Sequence, residues 1–427
     1  MQPIDTAHAE MSDGSWRSRD VWAISLCAFF ADLGYQSVLA GLPLFMVLAL
    51  HASIALYGLA MALGFGGGSL IAYLGSRLGD RIGHRKVAII GNSAIPLLSL
   101  SALIASPVAA IVFFCAGWWA RNLRSPSRRV MLSRSTTERH RTQAFGFLHA
   151  LDVGGGILAG IYMLVSLAAN LPYRYVFLGT AIPLAISTLC LTVTSTQLAG
   201  RQDTARKDSG STASSTAGST ASSKNRREPQ VSLPHSAAVA ILAATALFGF
   251  SSYSIGFPVL TAAIDSHSHD ATLGLLAFVV FNVVSSATGM ALARYLGPTW
   301  HSRFRNLGLF GYLPAAAGAA LLGTSAALRL PYLVTLLAVA ILGASLGIVE
   351  TLEPAIMSVI RPDGGSGFGL LSAYRSAGLF VGNLVMGLLY TLGAAWSYGY
   401  AAVVALAGAL ILLIATATVR QSAERVG

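Results

Sequence analysis

From Val21 onward the sequence falls into apolar stretches of about 20 residues, the length of helix needed to cross a bilayer core about 30 Å thick. The first, "VWAISLCAFFADLGYQSVLAGLPLFMVLAL", is longer than a signal-peptide core and reads as a retained helix. Twelve such spans can be drawn: 21–49, 54–76, 87–106, 108–132, 143–169, 174–198, 236–264, 271–296, 304–326, 331–358, 368–392 and 397–419. In the 427-residue chain 54% of residues are hydrophobic and only 11% are charged, and mean hydropathy is +0.65. A soluble domain of this size needs more polar surface than that. The expected fold class is an all-α polytopic membrane protein.

Between the sixth and seventh spans the composition changes. Residues 201–228, "RQDTARKDSGSTASSTAGSTASSKNRRE", have no apolar periodicity and cannot bury a core. The expected organisation is an N-terminal tail (1–20), a six-helix bundle (21–198), a low-complexity linker (199–235), a second six-helix bundle (236–419) and a C-terminal tail (420–427). Arg85, Lys86, Arg134, Arg139, Arg141, the linker, Arg303 and Arg361 fall on one side of the membrane, with only Arg174 and Arg329 near the edges of the other. The positive-inside rule places both termini in the cytoplasm. The expected location is a bacterial inner membrane. The net charge of +11 is thereby accounted for without nucleic acid, since the aromatic residues lie in the spans and not among the basic ones. Cys27, Cys115 and Cys190 sit in apolar spans and read as small buried hydrophobes.

Against this background "LGDRIGHRK", Leu78 to Lys86, is a knot of charge between the second and third spans. Gly79 and Gly83 suit a tight turn, and Asp80 can cap a helix or pair with an arginine. A plain stop-transfer cluster needs only Lys and Arg. The stretch resembles the signature loop of the major facilitator superfamily, roughly G-x-L-A-D-R-x-G-R-K, with Ser76 where the first glycine usually stands. The resemblance implies two pseudo-symmetric six-helix bundles of 12 transmembrane helices, working by alternating access. It also implies that Gly79, Asp80, Arg81, Gly83, Arg85 and Lys86 form a latch between the halves in the outward-facing state. A degenerate copy, "GMALARYLGPTWHSRFR", lies between spans eight and nine, with Arg294 where the acid would be.

Ionisable residues inside the spans are expensive and are the candidates for function. They are Asp32 in span one, Arg121 and Arg124 in span four, Asp152 in span five with His149 one turn before it, Glu350 and Glu353 in span ten, and Arg375 in span eleven. Gln36 shares a helix face with Asp32. Arg121 matches the arginine of a fourth-helix motif, R-x-x-Q-G, that the resemblance ties to proton coupling; Arg124 and Ser125 replace its Gln and Gly. Gly156 and Gly160 resemble the exporter motif G-x-x-x-G-P, with Ile161 in place of the proline. Arg128 and Arg129 are expected to snorkel to the interface. Similar depths suggest two buried pairs of opposite polarity, Arg124 with Asp152 and Glu353 with Arg375. His149 is read first as a packed histidine and second as a relay to Asp152. Gln36, Asn122, Asn282, Tyr253 and Asn383 add polar groups to apolar spans; the resemblance implies that those on spans one, four, seven and ten line a central cavity, which puts Tyr253 and Gln36 ahead of Asn383.

No Walker loop is present; the lysines are Lys86, Lys207 and Lys224. "GASLG" at 343–347 copies a nucleophile elbow, but inside a span with no strand before it. "HSHD" at 267–270 is read as a polar turn, not a metal site. The chain is therefore expected to be no enzyme, to need no cofactor or metal, and to act as a monomer among membrane lipids. The expected function is secondary active transport coupled to protons or another ion, exporting a small amphipathic or drug-like molecule. Import or uniport of a small polar solute is the alternative, and a non-transporting sensor or scaffold is the alternative of another class.

Overall fold

The computed structural model describes residues 18–136, 141–195, 235–264, 270–292, 305–360 and 365–424. The linker, the "HSH" of the polar turn and most of the degenerate second loop lie outside them. The described residues form helices and no strands: α1 (Arg19–Leu44), α2 (Ile54–Ile82), α3 (His84–Ala94), α4 (Pro107–Arg134), α5 (Arg141–Ala168), α6 (Tyr173–Gly179), α7 (Ala181–Thr192), α8 (His235–Ser251), α9 (Gly256–Ile264), α10 (Ala271–Leu292), α11 (Leu313–Leu328), α12 (Tyr332–Ile360), α13 (Gly365–Tyr390) and α14 (Ala394–Glu424). Nine stretches among the described residues are helical, long and apolar enough to cross a membrane. The other expected spans fall on α3 with the 3-10 turns of Ile95–Ala102, on the arginine-bearing α4, and on α13. Exposed Leu70, Val165, Ile182, Leu333 and Val403 give the apolar outer surface that lipid requires.

Helix starts follow local chemistry. Ser18, Ser53 and Ser106 each accept from a backbone N–H of the first turn of α1, α2 and α4. Asp270 does the same for Thr272 at the start of α10, which gives the acid of "HSHD" a capping role. Two expected spans are interrupted. Span six breaks at Thr180 into α6 and α7. Span seven unwinds between Ser251 and Gly256, just before Pro258, whose ring cannot continue the backbone ladder.

The halves meet near the α1–α2 turn and along α2 and α13, where the Ser69 hydroxyl donates to Ser376. The Tyr57 and Ser254 hydroxyls share a 2.9 Å hydrogen bond, and the Tyr57 ring packs edge-on against Phe257. In the unwound segment the backbone N–H of Ser254 donates to Asn383 Oδ1 at 2.8 Å. A Cβ on Gly58 would lie 2.7 Å from the Asn383 carbonyl oxygen and from Gly387 Cα, so α2 and α13 touch backbone to backbone. On the other flank Gly160 of α5 packs against Phe278 and Val279 of α10. Gly160 thus serves the contact between halves. It is Gly155, not Gly156, that lets α5 approach α1, where an added Cβ would strike Phe29 and Asp32.

The charged knot is more helical than expected. Leu78–Ile82 is the last turn of α2, and only Gly83, at φ 97°, makes the turn. His84 is buried against Gly79 and shares a 3.2 Å hydrogen bond with Ser127 of α4. Arg85 donates to the Thr192 carbonyl at 2.7 Å and to Thr194 Oγ1 at 3.3 Å, closing the C-terminal end of α7. Asp80 is 67% exposed and pairs only with His84, at 3.3 Å, among the described residues. No described contact joins this loop to the second half.

The close approach at Gly58 predicts that Gly58→Ala lowers thermal stability by about 1–3 kcal/mol, because backbone cannot move aside as a side chain can. Gly146, with nothing within 4 Å, is the control. Gly146→Ala should be neutral or stabilising by up to about 1 kcal/mol. Melting of the two purified variants by intrinsic fluorescence checks both signs.

Candidate functional site

In the first half, one face of α4 carries a ladder of arginines. The Arg121 guanidinium stacks over the rings of Tyr35 and Trp118, 4.8 and 4.9 Å from their centroids, and donates to the Tyr35 hydroxyl at 3.3 Å. Tyr35 in turn donates to Asp32 Oδ1. Asp32 is 4% exposed, and its Oδ2 has no hydrogen-bond partner. Arg124 is 0% exposed, donates to Asn92 Oδ1 at 2.6 Å, and leaves Nε and Nη2 unpartnered. Arg128 makes a two-pronged ion pair with Asp152, with both N–O distances 3.2 Å. The Asp152 carboxyl also faces that of Asp32, since Gly155 seats α5 against α1.

Two expectations are corrected here. The partner of Asp152 is Arg128, not Arg124, and Arg128 is buried instead of snorkelling. Helical side chains lean towards their own N-terminus. Arg128 on α4 therefore leans away from the α4–α5 connection and Asp152 leans towards it, so residues at different backbone depths meet. The relay from His149 is not formed: His149 is exposed, and no hydrogen bond or ion pair joins it to Asp152 among the described residues. Gln36 is half-buried beside Gly156, on the α1–α5 seam.

The second half holds a smaller cluster. Glu353 is 0% exposed and its Oε2 lies 3.7 Å from Arg375 Nη1, the pair expected from depth. The Tyr312 hydroxyl donates to Glu353 Oε1, Tyr312 stacks on Phe248 at 4.6 Å, and Arg375 sits 5.5 Å over the Phe248 ring. Each half thus shows an acid that accepts a hydrogen bond from a tyrosine and stands near an arginine. Tyr35 is three residues from Asp32, a spacing that marks a shared helix face. Tyr312 lies on another helix from Glu353, and nothing local in the sequence signals it. Tyr253 is apart from both clusters: it lines a mostly apolar cavity within the second half, with its hydroxyl buried and unpartnered. Glu350 is exposed and within electrostatic range of Arg121 and Arg129 of the first half and of Arg375 of its own. Asn122 and Asn282 each donate to a carbonyl of their own helix.

The sequence model of the Major Facilitator Superfamily matches residues 24–363. The chain belongs to that family. A crystal structure of a D-xylose-proton symporter superposes with a TM-score of 0.68 at 15% identity, covering 93% of this chain and 97% of that one. A crystal structure of the nucleoside transporter NupG gives 0.66 at 13% identity, covering 94% and 99%. The inward-open xylose transporter XylE from E. coli gives 0.65 at 14%, covering 92% and 96%. At these identities the likeness is one of fold. A search of curated protein sequences finds no match. The chain is an integral membrane transporter and no enzyme, as its family and fold require.

Removing one member of a buried pair should cost about 3–5 kcal/mol by stranding the other charge. Glu353→Arg and Arg375→Glu should each lower the melting temperature of the purified protein. The double exchange should regain part of the loss, and a double no more stable than the singles would break the pairing. His84 gives a pH prediction outside the spans. Burial holds its imidazole below the usual histidine range, the Arg134 charge adds to this, and Asp80 opposes it. The folded state therefore favours neutral His84. Its contribution is present above the ordinary histidine value and is lost as pH falls through the lowered one. Hydrogen exchange at Gly83–Val87 should quicken on acidification, and His84→Asn should flatten that response.

Proposed function

We propose that this chain is a proton-coupled secondary transporter that exports a small amphipathic compound across a bacterial inner membrane, with both termini in the cytoplasm. The observation that carries the reading is the Asp32 carboxyl, buried with one oxygen unpartnered at the head of the first charge cluster. Protonation of that group removes an uncompensated charge from the interior and loosens its hold on Tyr35 and Arg121. Release of the proton restores both. Such a carboxyl, in contact with the helix that bears Asp152 and the helix that bears the arginines, couples protonation to how α1, α4 and α5 pack. The exposure of Asp80, paired only with His84 among the described residues, supports an inward-facing state with the loop unlatched. Charge on α4 and α12 beside the rings of Tyr35 and Trp118 suits a cargo with a polar end and an apolar body.

A second reading, import of a small polar solute, draws on the matched sugar, nucleoside and peptide transporters, whose identities support the fold alone. Proton flux in proteoliposomes during a compound screen separates the readings. Wild type should move protons against its substrate, and Asp32→Asn should move substrate, if at all, without proton flux, at least tenfold below wild type. Unchanged proton flux in Asp32→Asn would remove Asp32 from the coupling. Flux of both in the same direction would replace export by import.

A further inference from the structure

Resting on the transport reading above, we infer that the cargo carries an anionic group, held between Arg121 and Arg129 on α4 in the gap between the halves. The charge balance of the gap leads there. In the first half the Arg128 charge is answered by Asp152 in a two-pronged pair. In the second half Arg375 is answered by Glu353. Arg121 and Arg129 remain on the wall. Among the described residues Arg121 makes a single hydrogen bond, to a neutral tyrosine, and its Nε is buried without a partner. Arg129 is exposed and makes no side-chain hydrogen bond or ion pair among the described residues. The one carboxylate opposite, Glu350, forms no ion pair within 4 Å among them and answers at most one of the two. Arg124 behind the wall adds a further cation that touches no carboxylate among the described residues.

With Asp32 behind Tyr35 also counted, Arg121, Arg124, Arg128 and Arg129 of α4 stand against three carboxylates, Asp32, Asp152 and Glu350, which leaves the gap net positive even with Asp32 ionised, and low-dielectric walls concentrate that potential. Arg121 already sits over the rings of Tyr35 and Trp118 and bonds the Tyr35 hydroxyl, so little side-chain entropy remains to be lost when it takes a forked pair with a carboxylate, sulfonate or phosphate. Ser125 lies between the two arginines at four-residue spacing on the same helix stripe. Its hydroxyl is occupied with the Arg121 carbonyl at 2.8 Å, which leaves the guanidinium groups as the binding groups. Glu350 then acts as the counter-charge that disfavours a second anion and draws any basic group of the cargo to the α12 side.

Ser125→Cys, placed in the full chain with Cys190→Ser, reads the potential directly. In purified protein the rates of modification by anionic sulfonatoethyl and cationic trimethylammonioethyl methanethiosulfonate are compared, each divided by its rate with a small free thiol. The anionic reagent should be favoured by about tenfold. Arg121→Gln and Arg129→Gln should each reduce that preference severalfold, and Glu350→Gln should raise it. Sulfate should slow the reaction more than chloride at equal ionic strength, and the double glutamine variant should lose this difference. Parity or a cationic preference, or a preference indifferent to both arginines, overturns the inference and leaves the transport reading standing. Equal slowing by sulfate and chloride reduces the effect to screening and overturns the site. Modification by neither reagent means the gap is closed to water, which overturns the transport reading together with this one.

Discussion

The fold is organised around the cost of keeping arginines in a low-dielectric interior. A guanidinium cannot shed its charge there, so it must be answered by a carboxylate, a ring face or a polar side chain. In the first half that requirement determines what surrounds α4. Asp152 comes from α5, Tyr35 and Asp32 from α1, Asn92 from α3. Gly155 and Gly91 allow the approach: a Cβ at Gly155 would meet Asp32, and one at Gly91 would meet the backbone of α4 at Arg124. Small residues and charges are therefore parts of one arrangement, with the glycines setting the distances at which the charges are satisfied.

The arrangement is incompletely satisfied, and the deficit is localised. Asp32 Oδ2, Arg124 Nε and Nη2, and Arg121 Nε lack partners in the first half; Glu353 Oε2 lacks a hydrogen bond in the second. Most buried polar groups in stable proteins are bonded. A cluster of exceptions around two acids is what a structure with two alternative pairings needs, because a fully satisfied network would hold one arrangement only. Asp80 is exposed and Arg85 is spent on the end of α7, so the contacts of this loop among the described residues lie within its own half.

Much of this was legible in the sequence and some was not, for reasons that divide cleanly. Apolar blocks of bilayer length, the embedded acids and bases, and the loop between α2 and α3 are local patterns: Asp32, Arg124 and Glu353 are buried as charges inside spans, while Glu350 is exposed and most of the loop is the last turn of α2. The Glu353–Arg375 pair was legible because both residues lie at similar depth on neighbouring helices. The Asp152 partner was misjudged because depth was counted on backbones, while a long arginine side chain covers more than a helical turn in the direction of its own N-terminus. Tyr312 was invisible, since a tyrosine on a different helix from its acid has no spacing to betray it. The unwinding of span seven had a signal in its run of serines followed by Gly256 and Pro258. Hydropathy passes over such a break, because every residue in it is compatible with a membrane.

The interruption at Ser251–Gly256 carries the last step. An unwound segment in a membrane exposes backbone groups that must find partners in protein. Here Asn383 accepts from Ser254, and Tyr57 from the opposite half bonds the Ser254 side chain. The same few residues thus satisfy the broken backbone and close the gap at the α1–α2 end. Opening that end would release Tyr57 from Ser254, while Asn383, on a helix of the same half as the break, remains to hold the backbone. The break stays satisfied by its own half whichever end is open. Across the halves the contacts include two hydroxyl pairs, Tyr57 with Ser254 and Ser69 with Ser376, the Tyr57–Phe257 rings, and close approaches at Gly58, Gly66 and Gly160. Contacts of this kind are individually weak, as a two-ended gate exchanging on a small free-energy difference requires.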